Sequence, residues 1–356
     1  MEALRAQFPV LERIEYLNAG TTGPVPRAAY EAASASLRAQ LEDGRSGHDF
    51  FDHCLQRIEL LRDEAAVLLR ADPTELALTG STTDGVNSIV AALDLGPGDE
   101  VLTSDQEHPG VLAPLGALRE RRGVTIRVAP FDELPSAVGP ATRLVACSHV
   151  SWHTGQIVDA PGLAATEALV LLDGAQGLGA VPLDVKALGC DFYAASGQKW
   201  LCGPNGLGYL YARADHASRL IPAWPGYGSL ADATKALELD LHPDARRLNV
   251  GFPAWHQVEW ALAALQVLDE AGWAAVHERA AALAAQLADA LGKRAQPRGR
   301  STLVAWKVDD PEAEVDRLRE AGFVIRDLPG QGTVRASVGA WSSEAELARL
   351  AELTCS

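Results

Sequence analysis

The sequence predicts an α/β protein: a large domain built on a mostly parallel mixed sheet flanked by helices, followed by a smaller C-terminal α+β domain. Three observations carry that expectation. Short, nearly continuous apolar runs alternate with helical stretches from residue 76 to residue 212, as expected of strands buried on both faces between layers of helix. A Pro- and Gly-rich segment, PAWPGYGSLADATKALELDLHPDARRLNVG (222–251), then breaks the rhythm. Beyond it the chain reads as helix followed by a βαββα order, which suggests a compact α+β unit.

In chain order, 27–42 and 52–70 have apolar positions at three-to-four spacing and read as helices. The apolar runs are LALTG (76–80), EVLTS (100–104), VTIRVA (124–129), RLVACSHV (143–150), ALVLLD (168–173), DFYAAS (191–196) and LGYLYA (207–212). Helices fit between them at 83–94, 110–122 and 160–167. After the break, 254–292 is alanine- and leucine-rich helix interrupted near Gly272. TLVAWKV (302–308), the helix PEAEVDRLREAG (311–322), FVIRDL (323–328), GTVRASVG (332–339) and a helix from Ser343 complete the small unit. This organisation divides the chain into an N-terminal segment (1–20), a large α/β domain (21–225), a crossover and subunit-interface segment (226–253) and a small domain (254–356).

Composition narrows the function. A net charge of −16 with no basic stripe argues against nucleic acid and anionic membrane surfaces as partners. MEALRAQFPVLERIEYLNAG at the start lacks the unbroken apolar core of a signal peptide, and no apolar run is long enough to span a bilayer. The five cysteines, Cys54, Cys147, Cys190, Cys202 and Cys355, are scattered without a CxxC pair, which fits free thiols in a reducing cytoplasm. No His, Asp or Glu cluster has metal-ligand spacing. HDFFDH (48–53) comes nearest, but its i,i+5 histidines do not share a helical face.

Chemistry centres on SGQKWLCGPNGLGYLY (196–211). Only Lys186, Lys199, Lys235, Lys293 and Lys307 supply an ε-amine. Lys199 alone follows an apolar strand at its C-terminal edge, where open α/β sheets place ligands. Asp173 ends the strand VLLD before the small residues of GAQGLG. A carboxylate buried there needs a cation or donors, although it could also cap a helix. TGSTTDGVN (79–87) is a strand-to-helix turn able to offer backbone N–H groups and the Thr82 and Thr83 hydroxyls to a phosphate, and capping explains the same residues. His108, in QEHPG after a further strand, could stack on an aromatic ring or be a loop histidine. All four elements stand at C-terminal ends of predicted strands.

Together these residues resemble the class V aminotransferase family of fold-type I enzymes dependent on pyridoxal 5′-phosphate (PLP), which includes cysteine desulfurases, kynureninase and isopenicillin N epimerase. CDFYAASGQKWLCGPNGLGYL (190–210) matches the whole family lysine motif, and matches run in family order from YLNAGTTGPVP (16–26) to TVRASVGAWSSEAEL (333–347). The resemblance implies that Lys199 holds PLP covalently and moves the substrate Cα proton. It places Asp173 by the pyridine nitrogen, Gln176 near the ring hydroxyl and His108 on the ring face. Thr82, Thr83, Ser196 and Gln198 would hold the phosphate. Arg335 would grip the substrate carboxylate, for which a guanidinium fork is well shaped, with Asn18 and Trp152 beside the substrate. A homodimer in the cytoplasm acting on an amino acid as its small-molecule substrate is implied.

Departures from the family select among reactions. The small-domain loop RDLPGQG (326–332) lacks the nucleophilic cysteine that desulfurases carry there. SHVSWHTG (148–155) has Trp152 where desulfurases have an asparagine, and NVGFPAW (249–255) has Phe252 where they have a threonine, which touches one phosphate contact across the subunit interface. Trp152, Trp200, Tyr227 and Trp255 could line an aromatic pocket or pack at interfaces. The expected activity is therefore an aminotransferase. A C–S β-lyase is its first rival and an epimerase the next, with a desulfurase or a non-catalytic PLP-binding protein further behind.

Overall fold

The computed structural model describes residues 1–355. Its strands are β1 (Glu15–Tyr16), β2 (Leu76–Thr79), β3 (Glu100–Ser104), β4 (Thr125–Ala129), β5 (Thr142–Ser148), β6 (Leu169–Asp173), β7 (Phe192–Ser196), β8 (Gly208–Ala212), β9 (Leu303–Lys307), β10 (Phe323–Val324), β11 (Arg326–Leu328) and β12 (Thr333–Ser337). The large sheet runs β2-β8-β7-β6-β5-β3-β4. Neighbours from β7 to β4 are parallel, while β8 lies antiparallel between β7 and β2. Every strand but β8 thus points its C-terminal end to one edge.

The pleat explains why the runs are apolar throughout. On β7, Tyr193 and Ala195 enter one core cluster with the helices His48–Leu69 and Trp255–Ala271, while Phe192 and Ala194 enter another with Thr82–Ala92 and Pro109–Arg122. Leu172 and Leu171 on β6, and Val145 and Leu144 on β5, divide the same way. Alternate side chains point to opposite faces, and a sheet covered on both faces leaves no place for a polar one. The fold is the mixed, helix-flanked α/β architecture expected of fold type I.

Two expectations change in detail, and the start of the chain gains distant partners. FVIRDL is two short strands, not one: β10 pairs with β1, and β11 turns to pair with β12. β1 and Leu17 bond to β10 and to Ser337 at the end of β12. The helix expected at 160–167 covers only Ala160–Ala164. Backbone partners distant in sequence decide each of these, and local spacing does not report them.

One glycine in the lysine motif has a packing cause. A Cβ at Gly208, where β8 passes between β2 and β7, would lie 2.7 Å from Thr79 Oγ1 and 2.8 Å from the Ala195 carbonyl and from the Ser81 carbonyl carbon. Two of those atoms are backbone, so they cannot rotate away. Gly208→Ala should lower the free energy of unfolding by about 1–3 kcal/mol, as overpacked sites do, and by displacing the Ser81–Thr82 turn it should also weaken cofactor retention. Urea unfolding of the apo-protein measures the first effect and dialysis of the holo-protein the second.

Candidate active site

The C-terminal edge of the large sheet opens into a cavity of about 200 Å³. The loops after β2, β3, β6 and β7 form one wall, while Gly20 and Thr21 from the turn after β1, Arg326 on β11 and Arg335 on β12 close it. Ten of the expected site residues meet there: Thr82, Thr83, His108, Trp152, Asp173, Gln176, Ser196, Gln198, Lys199 and Arg335. Asn18 does not. Its Oδ1 instead accepts from Thr21 Oγ1 at 2.7 Å, so it braces the wall from behind, because its main chain is already paired with β12 at Ser337.

Electrostatics follow from burial. Asp173 is 6% exposed. Burial pushes its carboxyl upward, while the Lys199 amine and the Ala175 N–H, donating to Oδ1 at 2.8 Å, oppose that. Burial pushes the Lys199 amine down to about 8, with Arg335 and Arg326 acting the same way and Asp173 opposing. A protonated Lys199 therefore gives up its proton near neutral pH.

His108 caps the helix Pro109–Arg122, with Nδ1 accepting from Gly110 N at 2.9 Å. That bond leaves any ring proton of the neutral form on Nε2. Burial, together with Lys199, Arg326 and Arg335, pushes the imidazole down to about 4, so it presents a neutral face to the cavity. Trp152 meets it edge-on, with ring centroids 5.0 Å apart.

The phosphate end is built around Ser196, whose Oγ accepts from the Thr82 N–H at 3.1 Å and lies 2.5 Å from Thr82 Oγ1. The Ser81 side chain caps the helix Thr82–Ala92 by accepting from Asp84 N. Gln176 bonds to the Gly20 carbonyl through Nε2 (2.7 Å) and accepts from Trp200 Nε1 at 3.0 Å. At Gly20 a Cβ would lie within 2.9 Å of Ser337 Oγ, Arg335 Nη2 and Gln176 Oε1; only glycine lets this turn approach the clamp.

Arg335 is 1% exposed, donates Nη1 to the Trp152 carbonyl at 2.6 Å, and leaves Nε and Nη2 without a partner. Burial and the neighbouring Arg326 push its guanidinium down to about 9. Arg326 donates to the Asp327 carbonyl (2.8 Å) and Thr21 Oγ1 (3.4 Å). Sequence reasoning missed Arg326, Gly20, Thr21, Ser81 and Ala175. RDLPGQG lacks a thiol, and the arginine that opens it is the signal the sequence offers. Of the four aromatics, only Trp152 lines the cavity. Trp200 is buried on Gln176, while Tyr227, Phe252 and Trp255 form a separate aromatic row.

The model of the family described as Aminotransferase class-V matches residues 15–304. The chain belongs to this family. A cysteine desulfurase of Klebsiella pneumoniae is 34% identical over 253 residues, 65% of this chain and 62% of the relative. An isopenicillin N epimerase of Streptomyces clavuligerus is 33% identical over 240 residues, 62% of this chain and 59% of the relative. The chain thus spans about three fifths of the length of these curated relatives. The solved complex between the cystine C–S lyase C-DES and its reaction product cysteine persulfide is similar with a TM-score of 0.91 and 30% identity, covering 98% of both chains. This class V protein is a PLP-dependent enzyme of fold type I.

The residues present fit that cofactor. Gln198 Oε1 and Arg335 Nε and Nη2 are buried, on residues that line the cavity, and lack protein partners, which buried polar groups rarely tolerate. Thr82, Thr83, Ser196 and Gln198 could hold the phosphate, Asp173 the ring nitrogen, Gln176 the ring hydroxyl and Lys199 the aldehyde carbon. Bound there, PLP supplies an electron sink for charge developing at the substrate Cα.

Attachment needs a neutral amine, and a group whose pKa is about 8 is mostly neutral only above that pH. The rate of PLP uptake by apo-protein, followed by absorbance, should therefore rise through about pH 8 and level off. In Asp173→Asn the anion that holds the amine's proton is gone, so the midpoint should fall. A midpoint near the ordinary lysine value, about 10.4, would contradict this electrostatic picture.

Proposed function

We propose that this enzyme is a C–S β-lyase for a cysteine derivative bearing a second carboxylate, with cystine as the simplest example. The observation that carries the reading is the second guanidinium. Arg335, with Nε and Nη2 free, suits an α-carboxylate. Arg326 stands beside it in the same cavity, bonded among the described residues to a carbonyl and a hydroxyl. With Lys199 these make three basic groups against the single carboxylate Asp173 among the cavity's lining residues. With the phosphate held by the hydroxyl turn, Lys199 attached to the cofactor and the α-carboxylate on Arg335, Arg326 would be the guanidinium left to face the substrate's far end. The extent of the likeness to a cystine C–S lyase, 98% of each chain, supports the same reading.

In the proposed reaction Lys199 Nζ takes the Cα proton and the Cβ–S bond breaks with its electron pair going to sulfur. Lys199 can return the proton to the leaving group. From cystine this yields cysteine persulfide and an enamine, which water converts to pyruvate and ammonia. His108, neutral, would confine the ring without adding charge.

Desulfuration through an enzyme thiol is less well supported, although many relatives carry that name. No cysteine lines the cavity. Cys202 is 1% exposed and burial pushes its thiol upward, while the exposed Cys355 ends the last described helix. The aminotransferase expected from the sequence is the second reading, since the cavity holds the amine, carboxylate and clamp that transamination requires. The reading includes a homodimer. Tyr30, Leu37, Leu41, Phe51 and Leu55 leave apolar surface exposed on the two helices that pack against Trp255–Ala271, and ring contacts from Phe51 through Phe50, Trp255 and Phe252 lead on to Tyr227, a pattern typical of interaction surfaces. Among the described residues no helix is long and apolar enough to cross a membrane.

Incubation of holoenzyme with L-cystine and no keto acid should give continuous pyruvate and ammonia at far more than one equivalent. Arrest after one equivalent of keto acid, with pyridoxamine phosphate left behind, would establish the aminotransferase and dismiss the lyase.

Arg326→Ala separates the two guanidiniums. It should raise KM for cystine by on the order of tenfold or more, as loss of a charged hydrogen-bond donor does, while a cysteine derivative without the second carboxylate is affected within about threefold. Equal losses for both substrates would place Arg326 on the α-carboxylate instead.

A further inference from the structure

The loop that follows β3 sends three consecutive side chains in three directions. Gln106 reaches the 151–156 turn, where its Oε1 accepts from Ser151 Oγ (2.6 Å) and Thr154 Oγ1 (2.8 Å) and its Nε2 donates to Gln156 Oε1 (2.8 Å). That turn carries Trp152, which touches both His108 and Arg335. His108 faces the cavity. Glu107, between them, turns inward to 6% exposure.

All the donors to the Glu107 carboxyl are serine groups at strand tips. Oε1 accepts from the Ser148 N–H at 3.0 Å and from the Ser104 hydroxyl, and Oε2 accepts from Ser148 Oγ at 2.6 Å. Burial pushes the carboxyl up to about 7, with the charge of Asp173 adding to that push. Placing an acid there costs stability that an apolar residue would not, so the carboxyl needs a reason. Ser104 closes β3 and Ser148 closes β5. Ser148 is also in register with Asp173 at the tip of β6, and the next residue, His149, donates its N–H to the Asp173 carbonyl at 2.9 Å.

We propose that Glu107 is a positioning residue of the active site, tying the tips of β3 and β5 so that His108 and Asp173 face the cavity from fixed places. One side reaches Asp173 through Ser148 and His149. The other reaches His108 through a single peptide bond. The carboxyl accepts three bonds over its two oxygens from donors on two strands, more than the two lone pairs of a hydroxyl can accept and which an apolar side chain cannot accept at all.

The test uses full-length holoenzyme. Glu107→Gln keeps the length and one acceptor oxygen, whereas Glu107→Ala removes both. With L-cystine as probe, kcat should fall on the order of tenfold for Gln and a hundredfold for Ala, as small displacements of reacting groups cause. KM should stay within about threefold, because neither arginine is touched. The visible circular dichroism of bound PLP, which reports how rigidly the ring is held, should weaken in the same order. This signal does not depend on which amino acid is the substrate, so it decides the matter even where the lyase reading fails. A purely structural Glu107 would lower the melting temperature while leaving kcat and dichroism per folded molecule unchanged, and that result would overturn the proposal. So would a raised KM at constant kcat. Should Glu107→Ala not fold, Glu107→Gln and Ser148→Ala decide. Ser148→Ala removes one donor and should weaken the dichroism by less; unchanged dichroism in both variants sinks the idea.

Discussion

The carboxylate of Asp173 and the amine of Lys199 occupy one cavity at the edge of the sheet, and each makes the other's charge tolerable where burial opposes both. The pair depends on β6 and β7 being adjacent and parallel, with Asp173 in register with Ala194. A slip of one residue would turn Asp173 away from the cavity. The register is held by what lies beneath it: Leu172 and Tyr193 on one face, Leu171 and Phe192 on the other, all essentially inaccessible to water. The chemistry of the edge therefore rests on the packing of the sheet's two faces.

Charge is deliberately out of balance around that pair. Lys199, Arg326 and Arg335 meet a single lining carboxylate, and each arginine pushes the lysine amine toward its neutral form. An anionic cofactor and an anionic substrate are what such a cavity lacks. The protein as a whole carries a net charge of −16, so the positive cavity is a local exception. A neutral His108 belongs to the same arrangement, because burial and the two arginines that push the Lys199 amine down push the imidazole down as well.

Much of this was legible in the chain. Apolar runs of strand length, interrupted by hydroxyl- and glycine-rich turns, pointed to the buried sheet and to the edge where ligands gather. The lysine motif singled out Lys199, Asp173 ended its strand as expected, and Thr82, His108, Gln198 and Arg335 reach the same cavity. Asn18 read equally well as a site residue. It misses the wall because its backbone is paired to Ser337, a partner more than three hundred residues away. Arg326 is the opposite case. On β11 it looks like one more strand arginine, and only the pairing of that strand with β12, Arg326 opposite Arg335, brings the two guanidiniums together.

The sequence by itself determined the fold class, the cofactor family and the residue types of the site, because burial periodicity, turn chemistry and a long contiguous motif are local properties. The tertiary structure alone decided that Glu107 faces inward to strand tips, that Trp152 bridges His108 and Arg335, and that two arginines share one cavity. Those outcomes depend on which elements become neighbours. Contacts between residues tens to hundreds of positions apart are set by the packing of the whole chain, and no local pattern encodes them.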